Sequence, residues 1–291
     1  MRLCFDATRF GCGLDGAVEL AAQEGLTALE YSFAPFSVSV KGASALDAKE
    51  LKHLQALGHR CAATDIEISC LSLDYCLNVE DKKSSKQFAG MIKKLFLVAE
   101  AVGCKRVAFS VKPGAGDEWK TLLSDQLNQC LSSRGSDAVG LVMRLSTPVE
   151  FRNQSLKIWR GMEPQDWRDM ISLVPNLGLS FSPADCVWLG IDYLRILSGV
   201  IKAVEHIEAH DIEISRDLLT DSGMYGPLWW RYRSLSKGQV DWRQFLELLK
   251  LYEYQGAVSI QLDDEFLSHE TEELTAALQT SKKFLAPLLR G

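Results

Sequence analysis

The stretch LGLSFSPADCVWLGIDYLRILSGVIKAVEHIEAH, residues 177–210, holds two short strand-like runs with a longer helix-like run between them. In LGLSFS (177–182), Leu177, Leu179 and Phe181 fall on one face and Gly178, Ser180 and Ser182 on the other, because successive side chains of a strand point to opposite sides. AVEHIEA (203–209) then places His206 and Glu208, with His210 just beyond, on its polar face. The same unit recurs along the chain. Strand-like runs occupy 3–7, 28–33, 66–71, 106–111, 139–145, 177–182, 203–209 and 256–262, and helix-like runs lie near 14–24, 44–57, 84–102, 118–132, 164–173, 190–200, 241–254 and 268–289. Ser84, Asp241 and Ser268 are read as capping residues at helix starts, and Gly25, Gly103 and Gly256 as the points where a helix gives way to a strand. Strands each followed by a helix, repeated eight times, predict an α/β fold: a (β/α)8 TIM barrel. No linker-like stretch divides it, so residues 1–291 are read as a single domain.

The two strand faces differ in kind. One reads Leu29/Tyr31/Phe33, Val107/Phe109/Val111, Leu141/Met143/Leu145 and Val258/Ile260/Leu262, and is expected to pack under the outer helices. The other reads Ala28/Glu30/Ser32, Ala108/Ser110/Lys112, Gly140/Val142/Arg144, His206/Glu208/His210 and Ala257/Ser259/Gln261. It is small near strand starts and polar near strand ends. Sites on barrels lie at the C-terminal ends of the strands, so a polar small-molecule pocket is expected there.

A length of 291 residues, with 47% apolar and 24% charged residues, suits one large globular domain and excludes disorder. The net charge of −6 argues against a nucleic-acid partner, and no apolar run approaches a membrane span. The first residues reach Asp6 before any export signal could form, which predicts a cytoplasmic protein. The 8 cysteines are scattered without a Cys-x-x-Cys pair, so they read as reduced thiols.

At 177–192, at 204–214 (VEHIEAHDIEI), at 221–242 (DSGMYGPLWWRYRSLSKGQVDW) and at 256–264 (GAVSIQLDD) the chain resembles the sugar phosphate isomerase/epimerase family. These are xylose-isomerase-like barrels, distantly related to endonuclease IV. The resemblance extends to 13–20 (GLDGAVEL) near the start. It implies a divalent cation at the top of the barrel, held by a Glu ending strand five, an Asp in an Asp-Pro-x-His run, a His ending strand seven and a Glu ending strand eight. It also implies proton transfer between neighbouring sugar carbons by the two glutamates. This chain departs from that set. Arg144 ends strand five, Ser182-Pro183-Ala184-Asp185 follows strand six, Glu208-Ala209-His210-Asp211 ends strand seven and Gln261-Leu262-Asp263-Asp264 ends strand eight. A neutral amide is no base near neutral pH. No metal ligand set and no cofactor are therefore assigned, with Mn²⁺ or Mg²⁺ disfavoured.

Two functions stay open: a sugar or sugar-phosphate isomerase/epimerase with altered chemistry, or a non-catalytic protein that binds a sugar or polyol. Glu208, His210 and Asp185 are the catalytic candidates, His210 as the titrating rim histidine. The two acids either pair with Arg144 or hold a cation with Gln261 and waters. Candidate ligand contacts are Glu30, Lys112, Arg144, Ser182, Gln261, Arg216 and Trp230. Asp6 and Arg9 read as rim charges and His206 as a core histidine. The segment 212–240, with Trp229, Trp230, Arg231, Tyr232 and Arg233, is too long for an ordinary connection. It reads as a lid hinged at Gly223, Gly226 and Gly238, or as the arm of a homo-oligomer.

Overall fold

The computed structural model describes residues 1–34, 46–114, 118–132, 134, 139–145, 150–152, 155–157, 163–224, 226 and 229–290. Eight parallel strands, β1 (Arg2–Phe5), β2 (Ala28–Phe33), β3 (Glu67–Asn78), β4 (Arg106–Lys112), β5 (Gly140–Arg144), β6 (Gly178–Phe181), β7 (Val204–Ala209) and β8 (Ala257–Ile260), form one sheet in the order β1-β8-β7-β6-β5-β4-β3-β2. From β2 to β8 each strand thus pairs with its sequence neighbour, and β1 returns to β8 in the register Arg2–Ala257 to Phe5–Ile260. Between β1 and β2 the circle is joined by a single parallel bridge, Asp6–Glu30, with the Ala7 amide donating to the Glu30 carbonyl at 3.0 Å. The result is a nearly closed barrel with helices between its strands, as the alternation predicts.

The outward strand residues Leu29, Val107, Phe109, Leu141, Met143, Leu179, Phe181, Ile207 and Val258 are fully buried. They lie under helices α1 (Gly13–Gln23), α2 (Ala48–Ala63), α3 (Lys82–Val102), α4 (Glu118–Ser132), α5 (Pro164–Leu173), α6 (Pro183–Trp188), α7 (Tyr193–Val200), α9 (Trp242–Leu251) and α10 (Thr271–Arg290), while α8 (Arg216–Ser222) buries no residue and stands in the connection after β7. Phe181 shows how this layer packs. Trp167 of α5 meets it edge-on at 6.4 Å and Phe245 of α9 stacks on it at 5.8 Å, geometries aromatic rings prefer. Inside the barrel the lower layers are small: Cys4 with Ala28 and Ala257, and Cys70 with Ala108 and Val142. Gly178 belongs to this pattern, since a Cβ there would lie 2.6 Å from Cγ of Glu205. Small side chains below leave the upper interior to polar ones.

Three elements differ from the expectations. Strand β3 runs past residue 71 to Asn78, its register on β4 shifting between Ser72 and Cys76. The run near 190–200 is helix α7, capped by Asp192, and a further short helix that the reading lacked precedes it, α6, where Ser182 accepts the Asp185 amide at 3.1 Å. The 212–240 segment begins one residue earlier as a hairpin: Asp211–Ile214 pairs antiparallel with Trp230–Arg233, and α8 lies between. Gly238 is required there, as a Cβ would lie 2.4 Å from the Ile212 carbonyl oxygen. Residues 44 and 45 of the expected second helix, and 225, 227 and 228 of this segment, lie outside the described residues. Among the described residues no helix is long and apolar enough to cross a membrane.

Candidate functional site

Strand alternation sends Glu30, Arg144, Ser180, His206, Glu208, Ser259 and Gln261 into the barrel, and they meet near its C-terminal end. Glu30 is the hub and is fully buried. Its Oε2 accepts from His206 Nε2 at 2.9 Å, Ser259 Oγ at 2.9 Å and Gln261 Nε2 at 2.8 Å, while Oε1 accepts from Arg144 Nη2 at 3.1 Å. Burial alone would favour the acid form, but His206 and Arg144 outweigh it and hold the Glu30 carboxyl well below the usual range. Glu30 is thus a fixed anion that aims Arg144, not a group that trades protons.

Arg144 bridges outward from this hub. Its Nε lies 3.1 Å from Oε1 of Glu208, an ion pair without the alignment of a hydrogen bond. Burial opposes its charge, yet Glu208 and Glu30 together push the guanidinium further up. Glu208 also accepts from Ser180 Oγ at 2.7 Å. Burial raises the Glu208 carboxyl, opposed by Arg144 and reinforced by Glu30 and Asp185. The side chains of Arg144 and Glu208 keep 23% and 12% of their surface, so this end of the cluster reaches solvent while Glu30 does not.

Beside Glu208 stands a second group on the loops after β6 and β7. His210 Nε2 lies 3.0 Å from Ser182 Oγ, and Nδ1 lies 3.3 Å from Asp263. Tyr232 of the hairpin stacks on the imidazole at 4.3 Å and its hydroxyl donates to Asp185 Oδ1. Trp188 Nε1 adds a bond to the same oxygen at 3.3 Å. Burial lowers the His210 imidazole, but the Asp263 hydrogen bond and the charges of Asp185 and Glu208 raise it overall.

The structure therefore brings together Glu30, Arg144, Ser182, Asp185, Glu208, His210 and Gln261 of the sequence candidates. Asp185 is held by Tyr232 and Trp188; the ion pairs of Arg144 run to Glu30 and Glu208. Lys112 is half-buried at the end of β4. Two candidates fall outside the cluster. Arg216 is exposed at the start of α8, where the hairpin carries it outward. Trp230 is buried, stacked on Trp188 at 4.9 Å behind the site. Three members were not among the candidate site residues, although Asp6 was read as a rim charge and Tyr232 as part of the 212–240 segment. Asp263 lies two residues past Gln261, Tyr232 arrives only by the hairpin's pairing, and Asp6 meets Glu30 through the bridge that joins β1 to β2. Burial and the Glu30 carboxylate push the Asp6 carboxyl up to about 7. The one signal for it in sequence was its place at the end of the first strand.

Ligand atoms of Asp185, Glu208 and His210 lie within 4.8 Å of one another, which invites a test against the divalent ion the resemblance implies. The residues do not fit it. Glu208 faces a guanidinium, both ring nitrogens of His210 are in polar contact, and Gln261 turns its N–H toward Glu30. A divalent ion about 5 Å from that guanidinium would be repelled by about 7 kcal/mol at an effective dielectric of ~20.

Comparison with known proteins agrees with the fold. The xylose isomerase-like TIM barrel family matches residues 18–286, and the chain belongs to that family. The structure is similar to a xylose isomerase domain protein from Planctomyces limnophilus, with a TM-score of 0.69, 15% identity, and coverage of 98% of this chain and 95% of that one. It is similar to a D-psicose 3-epimerase solved in the presence of D-fructose, with a TM-score of 0.70, 9% identity and 100% of both chains covered. At such identities the likeness is one of fold. In sequence, the uncharacterized protein YfiH of Bacillus subtilis is 26% identical over 121 residues, which span 38% of this chain and 37% of that protein.

Proposed function

We propose that the barrel mouth binds a sugar or small polyol and that the chain moves a proton on it, in the manner of an isomerase or epimerase. The observation that carries this reading is the convergence of Asp185 and His210 on Glu208, itself paired with Arg144, at the C-terminal ends of β5 to β7. Hydroxyl-rich ligands suit a mouth lined by charged and amide groups that both donate and accept. The epimerase and isomerase neighbours favour the same chemistry.

In this reading Glu208 takes the proton from the carbon beside the ligand's carbonyl. The electron pair of that C–H bond forms a C=C bond as the carbonyl π pair moves to its oxygen, and an Arg144 N–H steadies the enediolate. A proton returned to the opposite face of the same carbon gives the epimer; one returned to the neighbouring carbon, with the hydroxyl proton passing between the two enediolate oxygens, gives the isomer. His210, whose cationic form Asp263 favours, is the donor. Ser182, Lys112 and Gln261 hold hydroxyls, and Glu30 fixes Arg144. A second reading, binding without turnover, is favoured by Gln261, an amide that cannot exchange protons where the resemblance expects a glutamate.

The test is a panel of aldoses and ketoses, D-fructose and D-psicose included, incubated in D2O and followed by proton NMR beside calorimetric binding. Deuterium should enter at the carbon next to the carbonyl, and Glu208→Gln should slow that exchange by about 100-fold or more while binding persists. Binding without exchange would select the second reading. Absence of binding across the panel would end both.

A further inference from the structure

We infer that Arg144 is the permanent cation of this site, standing where a barrel of this family holds a divalent ion, and that it keeps a latent three-residue metal site closed. The argument rests on placement. Arg144 is the last residue of β5 and points inward, Nη2 3.1 Å from Glu30 and Nε 3.1 Å from Glu208. Glu208 is one of three buried side chains whose ligand atoms lie within 4.8 Å of one another, the others being Asp185 and His210. Two carboxylates and an imidazole at that spacing are a donor set that a divalent transition ion accepts. What denies them one is the fixed charge beside Glu208. Arginine is protonated at every working pH, so the guanidinium neither leaves nor yields its charge.

The arrangement changes what a ligand meets. A metal offers open coordination positions that two oxygens can share, whereas a guanidinium offers N–H donors in one plane. Arg144 is held on two sides by carboxylates, so its direction is set before a ligand arrives. An oxygen that gains negative charge within reach of it is stabilised without an ion having to bind first. The acidic neighbours that a metal would have neutralised are neutralised by the chain itself.

The test is made on the whole protein. Stripped with chelator and titrated with Mn²⁺ under electron paramagnetic resonance, and with Zn²⁺ by calorimetry, the unmodified protein should take up no stoichiometric ion, and its melting temperature should not move. Arg144→Met should bind either ion at least tenfold more tightly than the parent, and Arg144→Lys, which keeps the charge, should not. One tightly held ion per unmodified chain would overturn the inference. So would a folded Arg144→Met protein with no gain in affinity, because something other than Arg144 would then keep the ion out. If Arg144→Met does not fold, the unmodified protein and Arg144→Lys still decide: ion uptake by either refutes the proposal.

Discussion

At Asp6 the consequence of crowding acids into a barrel mouth is readable as pH dependence. Its Oδ1 accepts from the Thr8 amide at 2.8 Å and from the Thr8 hydroxyl, while burial and the Glu30 carboxylate raise the carboxyl to about 7. An acid raised in the folded state holds its proton where the unfolded chain has lost it. Stability therefore falls as pH climbs from the ordinary carboxylate range to about 7, then levels off. Glu30 works the other way, since its depressed carboxyl supports the fold above the usual range and loses that support in acid. Asp6→Asn should lessen the decline in melting temperature between pH 5 and 7 by removing that titration, while Glu208, also raised, keeps its own share. An unchanged slope in calorimetric scans would mean that Asp6 ionises like a surface acid.

Among the elements, the hairpin of Asp211–Ile214 and Trp230–Arg233 does most to shape the site. It is anchored by Trp230 against Trp188 at 4.9 Å, by Trp229 Nε1 donating to the Met224 carbonyl at 2.8 Å, and by Arg231 on Glu213 at 2.9 Å. Its inner end delivers Tyr232 to both His210 and Asp185. Trp230→Ala leaves a cavity behind the site and should cost about 3–5 kcal/mol in denaturant unfolding. Tyr232→Phe keeps the ring on His210 but removes a hydrogen bond to a buried carboxylate, a loss of about 1–3 kcal/mol. If the tryptophan change proved nearly neutral, the hairpin would not be packed as a part of the core.

Over the whole molecule the barrel has one weak seam. Every neighbouring pair of strands shares a ladder except β1 and β2, which are joined in sheet geometry by the Asp6–Glu30 bridge alone. The seam is reinforced across the interior, where Glu30 of β2 takes hydrogen bonds from Ser259 and Gln261 at the end of β8. Opening should still begin there, because few backbone bonds must break. In native-state hydrogen exchange the Ala7 amide should exchange before the amides of β4, which is paired by a ladder to a strand on each side. Glu30→Gln should widen that difference. Equal protection around the circle would show that the side-chain ties make the seam as strong as a ladder.

The sequence by itself determined the barrel and the direction of its side chains. Alternation with period 2 is local, so Leu179 and Phe181 could be read outward, and Glu30, Arg144, Glu208 and Gln261 inward, before any contact was known. The places of Arg144 at the end of β5 and Gln261 just past β8 were legible for the same reason, as the strand order is fixed. Which charge meets which was not legible. The join of β1 to β2 decides that Asp6 lies against Glu30, 24 residues on. The pairing of a hairpin decides that Tyr232 binds Asp185 and that Arg216 faces solvent. His206 read as a core histidine, and its bond to Glu30 appears only when β7 and β2 are brought across the barrel. Strand periodicity sets the face a residue occupies; only closure of the circle, a matter of long-range packing, sets its partners.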